Sequence, residues 1–144
     1  MKNKKLISLL LLATLLVSAC GSSSAELTVQ DAWARPALKG QNGAVYFVIE
    51  NHTDSHNALN GASTDVASAA EVHLSMQNDQ GVMTMSMQDS VQIMPGENVT
   101  FKPGGLHIML VDLKQDLKVG DTFTLTLSFE KSGDITLEIQ VKDQ

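Results

Sequence analysis

An all-β fold, arranged as an antiparallel β-sandwich, is the architecture that this sequence predicts. Beyond the first twenty residues, apolar and polar residues alternate with a period of two, and no helical period of similar strength is present. These runs are short and lie between clusters of Gly, Pro, Asn, Asp and Ser, which is typical of a sandwich of seven or more strands. A chain of 144 residues has room for one such domain.

The beginning of the chain predicts a cleaved export signal. Residues 1–5 are basic and residues 6–17 are mostly apolar, a run too short for a stable transmembrane span. The sequence Val17-Ser18-Ala19-Cys20 resembles a bacterial lipoprotein signal, in which the cysteine is acylated after cleavage. The alternative is an ordinary signal peptide with a cysteine nearby. We expect a signal peptide over 1–19, a lipidated Cys20 with a flexible tether over 20–25, and one domain over 26–144.

Such a protein would be extracytoplasmic and held on a membrane through Cys20. Because Cys20 is the only cysteine, the domain has no disulfide and, after lipidation, no thiol for catalysis or metal binding. Loss of the three lysines in the leader changes the formal net charge from −6 to about −9. This acidity argues against nucleic acid as a partner and favours a cation or a basic protein.

The strand candidates follow in chain order, each bounded by turn-forming residues. They are residues 27–34, 43–51, 57–62, 69–76, 82–88, 98–102 and 106–113. Two further runs, 123–129 and 135–141, alternate strictly and are joined through Lys131-Ser132-Gly133, which predicts a hairpin with one buried face.

One stretch, residues 71–113, holds two of the four histidines and six of the seven methionines. Imidazole nitrogen and thioether sulfur are neutral and fairly soft ligands, a set that suits Cu(I). Zn(II) usually prefers thiolate or more imidazole, and Ca(II) or Mg(II) needs carboxylate oxygen. A blue-copper electron-transfer site requires a cysteine thiolate, which this domain lacks. The composition therefore predicts a site that holds copper without cycling its redox state.

Alternation assigns faces to the strands that carry these ligands. On strand 106–113, His107 and Met109 point to one face, while Leu106, Ile108 and Leu110 point to the core. On strand 69–76, His73 shares the accessible face with Glu71 and Ser75. On that strand the core face is predicted to hold Val72, Leu74 and Met76.

The methionine stripe of strand 82–88 is harder to interpret. Met83, Met85 and Met87 alternate with polar residues, so all three are predicted to lie on a buried face. Methionine is a common core filler, and spacing alone does not choose a metal ligand among them. His52 and His56 lie in a turn-rich segment and are expected to be solvated.

Several motifs across the domain resemble those of the PCu(A)C-type periplasmic copper chaperones. They are Asp31-Ala32-Trp33-Ala34-Arg35-Pro36, Gly43-Ala44-Val45-Tyr46-Phe47, Glu71-Val72-His73, Gly81-Val82-Met83-Thr84-Met85, Pro103-Gly104-Gly105-Leu106-His107-Ile108-Met109-Leu110 and Gly120-Asp121. The resemblance implies a cupredoxin-like Greek-key β-sandwich with Cu(I) as the bound metal.

The family's copper motif is a histidine, a methionine after ten residues, and His-x-Met after a further twenty-one. Here eleven residues separate His73 from Met85, and twenty-one separate Met85 from His107. The extra residue falls in the turn at 77–80, so strand faces are preserved. The resemblance thus implies His73, Met85, His107 and Met109 as ligands. Met83 is a backup for Met85, and Met87 is a further alternative.

The resemblance also implies a non-enzymatic role, delivering copper toward the copper centre of cytochrome c oxidase subunit II beside Sco-type proteins. Four protein ligands would leave no open position for a substrate, and no nucleophile–base pair is evident. Two alternatives stay open: a copper-buffering lipoprotein for tolerance, and a metal-free adhesion or assembly module whose methionines are core.

Overall fold

A computed structural model describes residues 25–143, which form ten β-strands. The strands are β1 (Leu27–Ala34), β2 (Gly43–Asn51), β3 (Asn57–Ser63), β4 (Ala67–Gln77), β5 (Met83–Met87), β6 (Val91–Ile93), β7 (Asn98–Phe101), β8 (Leu106–Leu113), β9 (Thr122–Phe129) and β10 (Gly133–Val141). The predicted signal peptide and Cys20 lie outside the described residues. Within residues 25–143, no helix is long and apolar enough to cross a membrane.

Seven strands close into a barrel-like sheet. The order is β4-β8-β2-β1-β10-β9-β3, and β3 returns to β4 through the pair Ala62↔Ala70. The predicted all-β, cupredoxin-like class is confirmed. One pair differs from the expected antiparallel pattern, since β1 runs parallel to β10 with Trp33 opposite Gln140. β5, β6 and β7 are additions, paired to β4, β3 and β2 respectively.

The core lies inside this closed sheet and comes from the apolar face of each strand. On β2, Val45, Phe47 and Ile49 are fully buried, and the Phe47 ring stacks on Phe101 with centroids 4.4 Å apart. Burial of each such side chain stabilises the fold by about 1.5–3 kcal/mol relative to exposure. The β9–β10 hairpin has the predicted pairing, with Leu125 opposite Leu137.

The methionines of β5 were predicted to be core, and this prediction is wrong. Met83, Met85 and Met87 are 54%, 55% and 58% exposed, and Met76 on β4, also predicted to be buried, is 53% exposed. Among the described strands β5 pairs with β4 alone, so β5 extends the sheet beyond its closed part and contributes no residue to the core. Alternation correctly places the three β5 methionines on one face, but that face is not inside.

The outer face of β4 is more buried than predicted, whereas the methionine face of β5 is more exposed than predicted. His73 and Ser75 were expected to be accessible, yet both are buried. Their strand lies between β5 and β8, and side chains from both neighbours flank it on the outer face. Two faces of β4 are therefore covered: one by the core, the other by the residues that form the candidate site.

Candidate metal centre

The candidate site lies on the outer face of the three-stranded segment β5-β4-β8. In the registers, His73 is directly opposite His107, and Ser75 is directly opposite Met85. Directly opposite residues of an antiparallel pair point to the same face of the sheet. Because His107 and Met109 also share a face of β8, all four predicted ligands lie on one surface. Ile108, which lies between His107 and Met109 on β8, points to the opposite face of the sheet and is fully buried in the core.

The two imidazoles are immediate neighbours across this sheet. Their ring centroids are 6.0 Å apart with an interplanar angle of 39°. His73 is 9% exposed and His107 is 6% exposed, so neither ring is freely hydrated. His52 and His56 lie in the turn that follows β2, and both are exposed, as predicted. The structure thus separates one buried histidine pair from two solvated histidines.

Each buried imidazole uses one nitrogen in a hydrogen bond to the protein. His107 Nδ1 lies 3.0 Å from the carbonyl oxygen of Gly105, and His73 Nε2 lies 2.9 Å from Glu71 Oε2. The remaining nitrogen of His73, Nδ1, is buried and has no hydrogen-bond partner within residues 25–143. A buried polar atom without a partner costs about 1–3 kcal/mol, so a ligand that engaged it would remove a penalty.

A cavity of about 510 Å³ opens beside His107. Its walls carry three thioethers, those of Met83, Met85 and Met109, together with the imidazole of His107. The Met109 sulfur accepts a hydrogen bond from Asn42 Nδ2 at 3.8 Å, which orients the thioether. His73 is not part of the cavity wall. It lies beside His107 on the adjacent strand.

The cavity distinguishes between the methionines of β5. Met83 and Met85 both line it, whereas Met87 lines a separate, smaller cleft with Glu71 and Gln88. The register nevertheless places Met87 directly opposite His73. The geometry therefore favours Met85 or Met83 for a metal held against His107. The assignment of Met85 stays a prediction.

The other residues that line the cavity include Tyr46, Arg35 and Asn42, which sequence reasoning did not assign to the site. Tyr46 lies with its ring centroid 6.5 Å from that of His107, and it packs on Trp33 at 4.8 Å. The Arg35 guanidinium carbon lies 5.6 Å from the centre of the Tyr46 ring, within cation–π range. The sequence showed Trp33, Arg35 and Tyr46 only as parts of motifs, without a place at a metal site, and it did not single out Asn42.

The donor set at this position is soft. Within residues 25–143, no group of three or more His, Cys, Asp or Glu side chains is arranged to hold a metal ion. What the outer face provides is two imidazoles and several thioethers, with a single carboxylate, Glu71, bonded to one imidazole. Neutral nitrogen and thioether sulfur favour Cu(I) over Zn(II), Ca(II) or Mg(II).

The chain is similar in sequence to a known protein family and to a curated bacterial protein. A family model described as "Putative lipoprotein LpqE-like" matches residues 27–141. A protein of Rickettsia prowazekii, "Uncharacterized protein RP573", is 38% identical in an alignment of 114 positions that covers 76% of this chain. The chain spans 62% of that relative's length.

Two solved structures share the fold over most of the chain. The copper-bound PCuAC domain from PmoF2 is 26% identical with a TM-score of 0.69, covering 83% of this chain and 94% of that domain. The solution structure of CuI-DR1885 from Deinococcus radiodurans is 27% identical with a TM-score of 0.65, covering 86% of this chain and 85% of that one. The predicted resemblance to PCu(A)C-type proteins is confirmed.

Proposed function

The chain belongs to the LpqE-like lipoprotein family, and on that premise we propose that it is an extracytoplasmic Cu(I)-binding metallochaperone. The observation that carries the proposal is the direct pairing of His73 with His107 on the outer face of the sheet, beside a cavity lined by Met85 and Met109. Copper is named in the descriptions of both solved domains, which supports the same cargo here.

In the proposed site, His73, Met85, His107 and Met109 bind one Cu(I). All four ligands are neutral, so the loaded centre keeps a single positive charge, and the soft sulfurs favour the monovalent ion. The ligands differ in accessibility: both imidazoles are buried, and Met85 is 55% exposed on a strand with one free edge. Exchange with an acceptor's ligand would therefore begin at Met85, a property suited to a carrier.

Delivery toward the copper centre of cytochrome c oxidase subunit II, beside Sco-type proteins, is part of the proposal and follows from the family resemblance. Acylation at Cys20 would hold the domain on a membrane and restrict its acceptors to membrane-bound ones. Transfer assays with a soluble oxidase copper domain separate this role from copper buffering. A chaperone would load the acceptor directly, whereas a buffer would release copper only to a competing chelator.

An anaerobic Cu(I) titration of the full-length protein tests the binding itself. We expect one tight equivalent, measured against a chromophoric Cu(I) chelator. The double variant His107→Ala/Met109→Leu should lose it. The matched control is His52→Ala/Met94→Leu, which removes an exposed histidine and an exposed methionine away from the site and should bind as the parent does.

Equal binding by the two double variants would contradict the assigned site. A folded parent protein that binds no Cu(I) would contradict the function and favour the metal-free adhesion or assembly module.

A further inference from the structure

We propose that the two histidines present opposite ring nitrogens to the metal, Nδ1 from His73 and Nε2 from His107, and that Glu71 is the positioning residue that fixes the His73 tautomer. This inference rests on the proposed function. It adds the donor atoms and a residue outside the four ligands. It is carried by the hydrogen bonds of the two rings and by the buried, unpartnered nitrogen of His73.

For His107 the backbone decides which nitrogen carries the proton. Its Nδ1 lies 3.0 Å from the Gly105 carbonyl oxygen, and a carbonyl can only accept. Nδ1 is therefore the N–H donor, and in the neutral ring Nε2 keeps the lone pair that a metal requires. The same oxygen accepts the Ser75 N–H at 3.1 Å, so both of its lone pairs are used and its direction is fixed.

For His73 a side chain, that of Glu71, determines that the other ring nitrogen carries the proton. Its Nε2 lies 2.9 Å from Glu71 Oε2, and an ionised carboxylate can only accept, so Nε2 carries the proton. In the neutral ring the lone pair is then on Nδ1, the buried atom for which no partner exists among the described residues. Hydrogen bonding of the outer nitrogen to a carboxylate is how proteins commonly orient a metal-binding histidine and raise its basicity.

Glu71 is well placed for this role and is not itself a soft ligand. It lies two residues before His73 on β4, on the same face, and directly opposite Met109 on β8. Its side chain is 36% exposed, whereas that of His73 is 11% exposed, so the carboxylate bonds the ring from the solvent side. Replacement of Glu71 should therefore leave the four ligands in place and change only the protonation pattern of one of them.

The chain contains a matched control for this pair. On β2 and the residue after it, Glu50 and His52 have the same spacing, and His52 Nε2 lies 3.1 Å from Glu50 Oε2. The His52 side chain is 54% exposed and lies outside the cavity, so an exposed imidazole makes the same kind of contact here, with a carboxylate oxygen that also accepts from Gln30 Nε2 at 2.8 Å. Glu50→Ala therefore reports what loss of such a contact does in water.

The test uses full-length protein with ¹⁵N-labelled histidine, and long-range ¹H–¹⁵N spectra of the neutral imidazoles recorded without metal. We expect His73 with a proton on Nε2 and His107 with a proton on Nδ1. Glu71→Ala should mix the His73 tautomers and weaken Cu(I) binding by about 10- to 100-fold. Glu71→Gln keeps an acceptor oxygen and should restore much of both properties. Glu50→Ala should leave Cu(I) affinity unchanged.

Addition of Cu(I) identifies the donor atoms directly. The largest ¹⁵N shift changes should fall on Nδ1 of His73 and Nε2 of His107. A proton on Nδ1 of His73 in the metal-free protein, or an unchanged tautomer and unchanged affinity in folded Glu71→Ala, would overturn the inference.

The metal-free spectra do not depend on copper binding. The assigned tautomers together with no Cu(I) binding would refute the proposed function and the donor-atom assignment, and would leave only the role of Glu71 in fixing the His73 tautomer. Tight binding with the other His73 tautomer would refute this inference alone.

Discussion

At the scale of the residue, the site depends on which thioether completes it. Met85 and Met87 lie on the same face of β5 and each is more than half exposed. Of the two, only Met85 lines the cavity beside His107. We expect Met85→Leu to weaken Cu(I) binding by at least about tenfold, whereas Met87→Leu should have little effect. Because leucine has a similar volume and both positions are exposed, neither change should alter thermal stability by more than about 0.5 kcal/mol.

Competition titrations of the two variants and of Met83→Leu measure these effects. Met83 lines the same cavity, so a larger loss in Met83→Leu than in Met85→Leu would transfer the ligand role to Met83. A tenfold loss of Cu(I) affinity in Met87→Leu would show that the metal ligand is Met87, which lies directly opposite His73, and not a methionine of the cavity.

Single residues also show what alternation can and cannot predict. The pattern on β8 correctly separates Ile108 in the core from His107 on the opposite face. The same reasoning fails for Met85 and Met76, because alternation tells which residues share a face but not whether that face meets the core. β5 lies outside the closed sheet and all five of its residues are exposed, and nothing within its own sequence reports this.

At the scale of the element, β5 is the weakest strand of the site. Among the strands that the structure describes it has one neighbour, β4, and all five of its residues are exposed, whereas β8 is paired on both sides. Strands with few buried contacts open at a free-energy cost below that of global unfolding. We therefore expect β5 amides to exchange hydrogen faster than β8 amides in the metal-free protein. Cu(I) should slow exchange in β5 at least tenfold, because Met85 would then tie β5 to β8.

Residue-resolved hydrogen exchange with and without Cu(I) checks this expectation. Met85→Leu is the control, since it should remove the copper-dependent protection of β5 while leaving β8 as it was. Protection of β5 equal to that of β8 before copper is added would contradict the assignment of β5 as a loosely held strand.

The elements themselves were largely predictable. Strands 27–34, 43–51 and 106–113 have the predicted bounds, because each is a run rich in apolar residues that lies between turn-forming residues. The three-residue strand β6 was missed, since so short a run has no measurable period. The parallel pairing of β1 with β10 was also missed. It joins the two ends of the domain, a long-range choice that local pattern does not encode.

At the scale of the whole molecule, the closed sheet separates the hydrophobic core from the candidate metal site. The core fills the interior, and the candidate ligands lie outside on β4, β5 and β8. The four ligand positions were carried over from a family motif that spans 37 residues of this chain. The strand register explains how so long a motif can form one site, because His73 and His107 are cross-strand neighbours. Tyr46 and Asn42 could not be placed by spacing, because they approach from β2 and the preceding turn.

Copper should stabilise the whole domain, because binding to the native state alone adds RT ln(1 + [L]/Kd). At free Cu(I) a thousandfold above Kd this is about 4 kcal/mol, or a rise in Tm of roughly 10 °C or more for a domain of this size. Anaerobic calorimetry should show that rise in the parent and in Met87→Leu, but not in His107→Ala/Met109→Leu. Since Met109 is half-buried and His107 lies outside the core, the double variant should still unfold cooperatively without copper. An equal rise in the double variant would mean that the stabilising copper binds elsewhere.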